Sequence, residues 1–356
     1  MNYRTEVLLD SESIATAATK VIDIDINEKI SRIGIRVKGT NNGSTPTAHP
    51  AKIITKIELI DGSDVLFSMA GVDAQALNFY EMGKMPFNIC EYEDNIECCA
   101  TMYINFGRWL WDTQLALDPT RFKSLQLKIT HNKALGGSTP DAGTLTVLAD
   151  VFDRKPCSPL GFLMSKKQKD YTLVASAHNY TDLNTDYTYR KLLIKSLSAS
   201  NPPSGQVDKI KLSENGGAKI VYNDIYLKEW VKLMPCQTKV EENFAGLEDA
   251  AANTYYIAST YEHYGVGVGR SANNSIIYVG QPSGNAIVII GDASESTGVY
   301  VTGYCPHGAV EFPFGVQEDI NDWYSMSGIT NLKLDLTAAS GASGTVEIIS
   351  QQLRRY

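Results

Sequence analysis

The residues that could do chemistry are few and scattered. A glycine-rich run, GVGVGR at 265–270, invites a phosphate-cradle reading. It matches neither G-x-G-x-x-G nor G-x-x-x-x-G-K-[ST], and no strand–helix–strand pattern surrounds it, so it reads as a loop or bulge. The five histidines (His49, His131, His178, His263, His307) have no H-E-x-x-H or C-x-x-C companion. Cys305 and His307, two apart in YCPHG, have metal-ligand potential but read better as a partly buried turn. The turn DGSD at 61–64 lacks the downstream glutamate of a calcium loop and reads as a hairpin turn. No G-x-S-x-G elbow occurs. Paired carboxylates can be assembled from any two acids in a fold, so sequence neither names nor rules them out, and the acidic EYEDNIE at 91–97 reads as a solvated loop. The sequence therefore assigns no catalytic, cofactor-binding or metal residue.

Composition narrows the classes further. The 356 residues carry 32 basic and 40 acidic side chains, a net charge of -8, which repels polyphosphate and argues against direct, sequence-specific nucleic-acid binding. Six cysteines without a C-x-x-C pair read as free, mostly buried thiols of a reducing compartment. There is no signal-type apolar segment at the N-terminus and no run of about 18 apolar residues, so synthesis and retention in a cytoplasm are expected.

Along the chain, apolar alternation with period two dominates. VIDIDI (21–26), ISRIGIRVKG (30–39), LQLKIT (125–130), TLTVLADVF (144–152), NSIIYVG (274–280) and AIVIIGD (286–292) all have the pattern of half-buried antiparallel strands. Helical periodicity is confined to VDAQALNFYEM (72–82) and NDIYLKEWVKLM (223–234), with Asp73 and Asn223 near their expected N-terminal caps.

Each of those helices follows a similar hairpin, KIELIDGSDVLF from Lys56 and KIKLSENGGAKIVY from Lys209, and each precedes a proline, Pro86 and Pro235. Further on, the Phe106-Gly107 pair answers to Phe314-Gly315, LQLKIT to LKLDLT from Leu332, and GTLTVLADVFDR from Gly143 to GTVEIISQQLRR from Gly344. Five landmarks in the same order make a tandem repeat. The offset grows from 149 at the prolines to 208 at the Phe-Gly pairs, which places 59 extra residues in the second half, within about 241–313. At roughly 150 residues per domain the expected division is a first domain at 1–156, a linker at 157–170 and a second domain at 171–356.

Two similar halves of short strands, each with a short helix, resemble the double jelly-roll major capsid proteins of tailless icosahedral viruses with an internal membrane. The resemblance is architectural and covers nearly the whole chain. It implies an all-β fold of two tandem eight-stranded antiparallel jelly-roll sandwiches, with the insertion as an outward tower. It also implies a homotrimeric pseudo-hexagonal capsomer in the capsid lattice of a virion, with minor capsid or penton proteins and an internal lipid membrane as further partners. Arg154 and Lys155, then Lys166, Lys167 and Lys169, and finally Arg354 and Arg355 lie at the ends of the two repeats, and on this resemblance they would cluster on a membrane-facing end. Tyr255, Tyr256, Tyr261 and Tyr264 of the insertion would be outward, receptor-facing aromatics. The alternative is a carbohydrate-binding or glycoside-cleaving double jelly roll using the same aromatics as a sugar platform; a surface or appendage subunit ranks third, since the sequence offers it no export route.

Overall fold

Period-two patterning produces strands along nearly the whole chain. The computed structural model describes residues 1–198, 201–234, 238–247, 253–268, 278–283, 285–290 and 296–356, with the backbone alone for 261–268, 278–283 and 290. The first half runs through β1 (Tyr3–Ser13), β2 (Ala18–Asp23), β3 (Ile30–Thr40), β4 (Ile54–Asp61), β5 (Asp64–Met69), α1 (Gly71–Met82), β6 (Asn88–Glu91), β7 (Glu97–Asn105), β8 (Leu125–His131) and β9 (Ala142–Phe152). The second half begins with β10 (Gly161–Thr172), β11 (His178–Leu183), β12 (Thr188–Leu197), α2 (Pro203–Gln206), β13 (Val207–Glu214), β14 (Lys219–Tyr226) and α3 (Leu227–Leu233). The insertion contributes β15 (Val240–Leu247), β16 (Asn253–Tyr256), β17 (Thr260–Val268), β18 (Tyr278–Ser283), β19 (Ala286–Ile290) and β20 (Ser296–Tyr304), before β21 (Ala309–Pro313), β22 (Leu332–Ala338) and β23 (Thr345–Arg355) complete the second half.

The repeat is visible in strand order. In the first half β1-β9-β3-β7 form one sheet and β2-β8-β4-β5 the other; in the second half the equivalent orders are β10-β23-β12-β21 and β11-β22-β13-β14. Each is the four-on-four order of a jelly roll. Even irregularities repeat: register shifts fall between Val7 and Leu9 and between Lys167 and Lys169, and again between Ile30 and Arg32 and between Tyr189 and Lys191. A bulge bends and twists its strand, so placing it alike in both halves gives both sandwiches the same curvature.

Among the described residues two parallel strand pairs, besides an isolated parallel bridge between Leu115 and Gly161, join the halves. Strand β5 meets β10 at Phe67–Ser165 and Ser68–Lys166, and β6 meets β15 at Cys90–Phe244 and Glu91–Ala245. The first fuses a sheet of one sandwich with a sheet of the other; the second carries β15, β20 and β17 onto the edge of the first sandwich. Apolar side chains of both sandwiches, among them Ile33, Leu127, Ile194 and Leu334, form one continuous core, while Tyr92 of the first half joins Phe244, Tyr255, Ile287 and Val301 of the insertion in a smaller one.

Several sequence expectations shift. The stretch 157–170 is a linker only as far as Leu160, because from Gly161 the chain is β10, paired on both sides. The end of the range 241–313 belongs to the sandwich proper, since β21 pairs with β12. The second helix covers only Leu227–Leu233; Asn223 is still in β14, whose pairing with β13 continues to Tyr226. Asp73 stands two residues inside α1, where its carboxylate accepts the Ala70 N–H at 3.3 Å. Residues 274–277 of NSIIYVG, 291–292 of AIVIIGD, 269–270 of GVGVGR, and Pro235 and Cys236 lie outside the described residues.

Candidate functional site

Helix α1 is the element through which the two sandwiches recognise each other. Its residues from Gly71 to Tyr80 are all buried. One face lies along the edge of β7, where Gln75 Nε2 donates to Thr101 O at 2.7 Å and Asn78 Nδ2 to Tyr103 O at 2.9 Å. The other face meets the second sandwich. There Asp73 pairs with Lys195, which also lies 3.6 Å from Glu347; Tyr80 donates to Ala309 O at 2.8 Å; and Glu81 accepts from Gln351 at 2.6 Å with Arg190 4.0 Å away. Burial works against the Lys195 ammonium, but Asp73 and Glu347 outweigh it and hold its pKa above the usual lysine value. This seam explains a contrast between equivalent strands: β12 is buried on both faces from Tyr189 to Ile194, whereas β3 alternates.

At the junction with the insertion a second polar cluster forms. Glu242 Oε1 accepts from His49 Nε2 at 3.0 Å, from Cys90 Sγ at 3.4 Å and from Asn88 Nδ2 at 3.3 Å, while Ala258 N donates to Oε2 at 2.7 Å. Burial opposes ionisation of this carboxyl, but His49 and the donated hydrogen bonds outweigh it and hold the pKa below the ordinary carboxylate value. Burial drives the Cys90 thiol well up, so the sulfur keeps its proton.

His49, Cys90 and Glu242 place three donor atoms within 4.8 Å of one another, a spacing that suits a metal ion. The chemistry of His49 does not. Its Nδ1 accepts the Ala51 N–H at 3.1 Å, so the ring proton sits on Nε2 and is given to Glu242, leaving no lone pair at the nitrogen that would face a metal. The cluster is a hydrogen-bonded tie between the first sandwich and the insertion. Sequence spacing offered no signal for it, since the three residues are 41 and 152 positions apart.

The YCPHG turn belongs to the same region. Cys305 and His307 both adopt left-handed backbone, φ 53° and 51°. Gln75 spends its amide N–H groups on Asn88 and Thr101, so its oxygen receives the His307 Nε2 proton at 3.0 Å, and the ring stands edge-on to His49 at 4.9 Å. His307 Nδ1 is buried without a partner. Cys305 joins no group of three metal-ligating side chains among the described residues.

Burial, with His49, Lys195 and Lys52 nearby, pushes His307 well below the ordinary value of 6.5. The native protein therefore binds fewer protons here than the unfolded chain, and the stabilisation is fully present above about pH 6.5 and lost as pH falls from there toward the folded value. The low Glu242 pKa adds a second loss below about 4.5 as that carboxylate takes up its proton. Unfolding free energy is expected to fall by up to about 1.4 kcal/mol per pH unit below 6.5. Denaturant titrations between pH 7 and 5 should show this slope in the native protein and a flatter one in His307→Gln; equal slopes would contradict the assignment.

The basic residues singled out from sequence do not form one cluster. Arg154, Lys155 and Arg355 are exposed at one end, where Lys155 N donates to Asn2 O and Arg355 pairs with Gly161. Arg354, opposite Phe162, is tied to Asp64 at 2.5 Å. Lys166, Lys167 and Lys169 lie opposite Ser350, Ile349 and Ile348, roughly 17–27 Å farther along β10 at about 3.4 Å per residue. The same end carries exposed acids, Glu318, Asp319 and Asp322, since Arg108 from the loop after β7 donates to Glu318 O. Of the tyrosines, Tyr255 is buried against Phe244 and Tyr92, which removes it from any outward platform; Tyr256 is half-buried, and the side chains of Tyr261 and Tyr264 lie outside the described residues. Tyr92, in the acidic stretch read as solvated, is fully buried.

No protein-family model and no curated protein matches the chain. Solved structures match it end to end. The crystal structure of the major capsid protein P2 of bacteriophage PM2 is 10% identical with a TM-score of 0.57, covering 99% of this chain and 98% of that one. The crystal structure of the STIV major capsid protein is 12% identical with a TM-score of 0.60, again over 99% and 98%. The PBCV-1 protein VP54 gives 12% and 0.57 over 99% and 94%. The chain shares their fold, two jelly rolls in tandem.

Proposed function

We propose that the chain is the major coat subunit of an icosahedral virus and catalyses no reaction. The observation that carries this reading is the end-to-end likeness to viral major capsid proteins, covering 99% of the chain and 98% of the PM2 and STIV proteins, so that both sandwiches and the insertion have counterparts there. The internal repeat supports it physically. Two like sandwiches held at a fixed angle present two like flanks, and three such chains can close a ring of six rolls. Such a capsomer would tile the shell of a virion, having been made in the host cytoplasm, and would meet minor capsid or penton proteins at special positions. The insertion stands outward as a tower. The opposite end, with Arg154, Lys155 and Arg355, faces the interior and any lipid there, although the acids beside it limit the attraction to anionic headgroups.

The glycan reading is not favoured, because Tyr255 is buried in the insertion's core. Light scattering of the purified protein is expected to give a mass near three chains, 117 kDa for a 39.0 kDa subunit multiplied by three, with hexagonal arrays or shells visible by electron microscopy. A monomer at every concentration would overturn the proposal.

A further inference from the structure

The internal repeat equates surfaces that have very different surroundings. Counting from their first residues, Asp73 and Leu77 of α1 correspond to Glu229 and Leu233 of α3. The two helices use the same face toward the sheet edge, although from positions one turn apart: Asn78 donates to Tyr103 O in the first half, and Trp230 Nε1, which stands where Ala74 does, donates to the equivalent Glu311 O at 2.8 Å in the second. On the opposite face the two helices part. Leu77, one turn from both Asp73 and Glu81, which meet the second sandwich, is 3% exposed, whereas Leu233 is 74% exposed.

The surface that receives α1 shows the same asymmetry. In the second sandwich it is built from β12, whose Lys195 pairs with Asp73, and β23, whose Gln351 donates to Glu81, with Ile349 on the same face of β23 by alternation. The equivalents of Lys195 and Ile349 on β3 and β9 are Arg36, which lies opposite Thr146 as Lys195 lies opposite Glu347, and Leu148. Ile349 is 1% exposed and Leu148 is 38%. A shallow hollow of about 350 Å³ lies over this uncovered face, lined by Thr5, Arg32, Arg36, Tyr103 and Leu148. Strands β14 and β1 are edges of their sheets, whereas their counterparts β5 and β10 are paired to each other.

We infer that the α3 face of one copy seats on the outer face of β3 and β9 of a second copy, reproducing between chains the seam that α1 makes within one. Leu233 takes the place of Leu77 and is covered by the neighbour's Leu148 surface. Glu229 and the neighbour's Arg36 take the roles of Asp73 and Lys195, so the signs are complementary. In isolation Glu229 is held by Lys232 at 3.1 Å, an exposed pair that exchanges readily for an intersubunit one. The contact is heterologous, using different surfaces on the two copies, and such contacts propagate around a ring. This inference rests on the coat-subunit reading and supplies its subunit interface.

The test is a charge swap on exposed side chains, read as concentration-dependent mass by light scattering and sedimentation, with circular dichroism to verify folding. Glu229→Arg and Arg36→Glu should each weaken association at least about tenfold, Leu233→Asp should abolish it, and the Glu229→Arg/Arg36→Glu double variant should recover it. If the native protein associates and the single variants associate equally well, this interface is wrong while the coat-subunit reading stands. A native protein that remains monomeric overturns the coat-subunit reading itself.

Discussion

Replacing Lys195 by Met is expected to destabilise the native protein by about 3 kcal/mol, because it leaves two carboxylates facing each other at the seam without their shared cation. Asp73 is 1% exposed at its side chain and Glu347 is 22% exposed, so neither is well placed to recover its lost partner from solvent. The repulsion already present raises the Glu347 pKa, with burial the larger cause and Asp73 the next. Methionine keeps most of the lysine stem's volume, so the loss measures charge and not packing. Pairing Lys195→Met with Asp73→Asn should restore much of the stability, since the remaining carboxylate then has a neutral neighbour. Denaturant unfolding decides the matter: a loss below about 1 kcal/mol for the single variant would mean that the seam does not depend on this ion pair.

Truncation of Tyr92 to alanine should cost more, roughly 3–5 kcal/mol, but locally. Tyr92 packs edge-on against Phe244 and Tyr255, with ring centroids 6.3 and 5.5 Å away, and donates to Tyr256 O at 2.6 Å. Its removal opens a cavity in the small core that it shares with the insertion and strands a backbone carbonyl. That core shares none of its residues with the large one. Hydrogen exchange is therefore expected to accelerate across β15, β16 and β20 while β3, β9, β12 and β23 stay protected. Uniform acceleration through both sandwiches would show that the insertion is not an independent packing unit.

Much of the architecture was legible in the residues because a sandwich repeats its instructions. The hairpins from Lys56 and Lys209, the Phe-Gly pairs and the terminal strands from Gly143 and Gly344 each encode a local pattern, and local patterns survive in sequence. The linker was misjudged for the same reason. The lysine run of GFLMSKKQKDYT falls within the linker expected at 157–170, yet its apolar start enters the core and the whole segment is a strand, a placement decided by partners at β5 and β23 that lie far off in the chain. The seam was illegible for a further reason. Asp73, Gln75 and Glu81 look like ordinary solvated positions of a surface helix, and only the folded chain shows Lys195, His307 and Gln351 opposite them. Polar groups that satisfy one another across long separations leave no periodicity behind.

The parallel pairing of β6 with β15 sets a timetable for the ribosome. Residues 1–152 contain every strand of the first sandwich, yet β6 gains its neighbour only when residues 244–245 have been made, about 150 positions after residue 91. At roughly 5–20 residues per second that interval lasts about 8–30 s. From residue 152 onward the nascent first sandwich carries this unpaired strand edge beside an α1 face whose covering strands β21 and β23 have yet to be made. Bare edges of this kind are the surfaces on which neighbouring polysome chains aggregate, so the yield of soluble protein should depend more on elongation rate and chaperone supply than on the stability of the finished subunit.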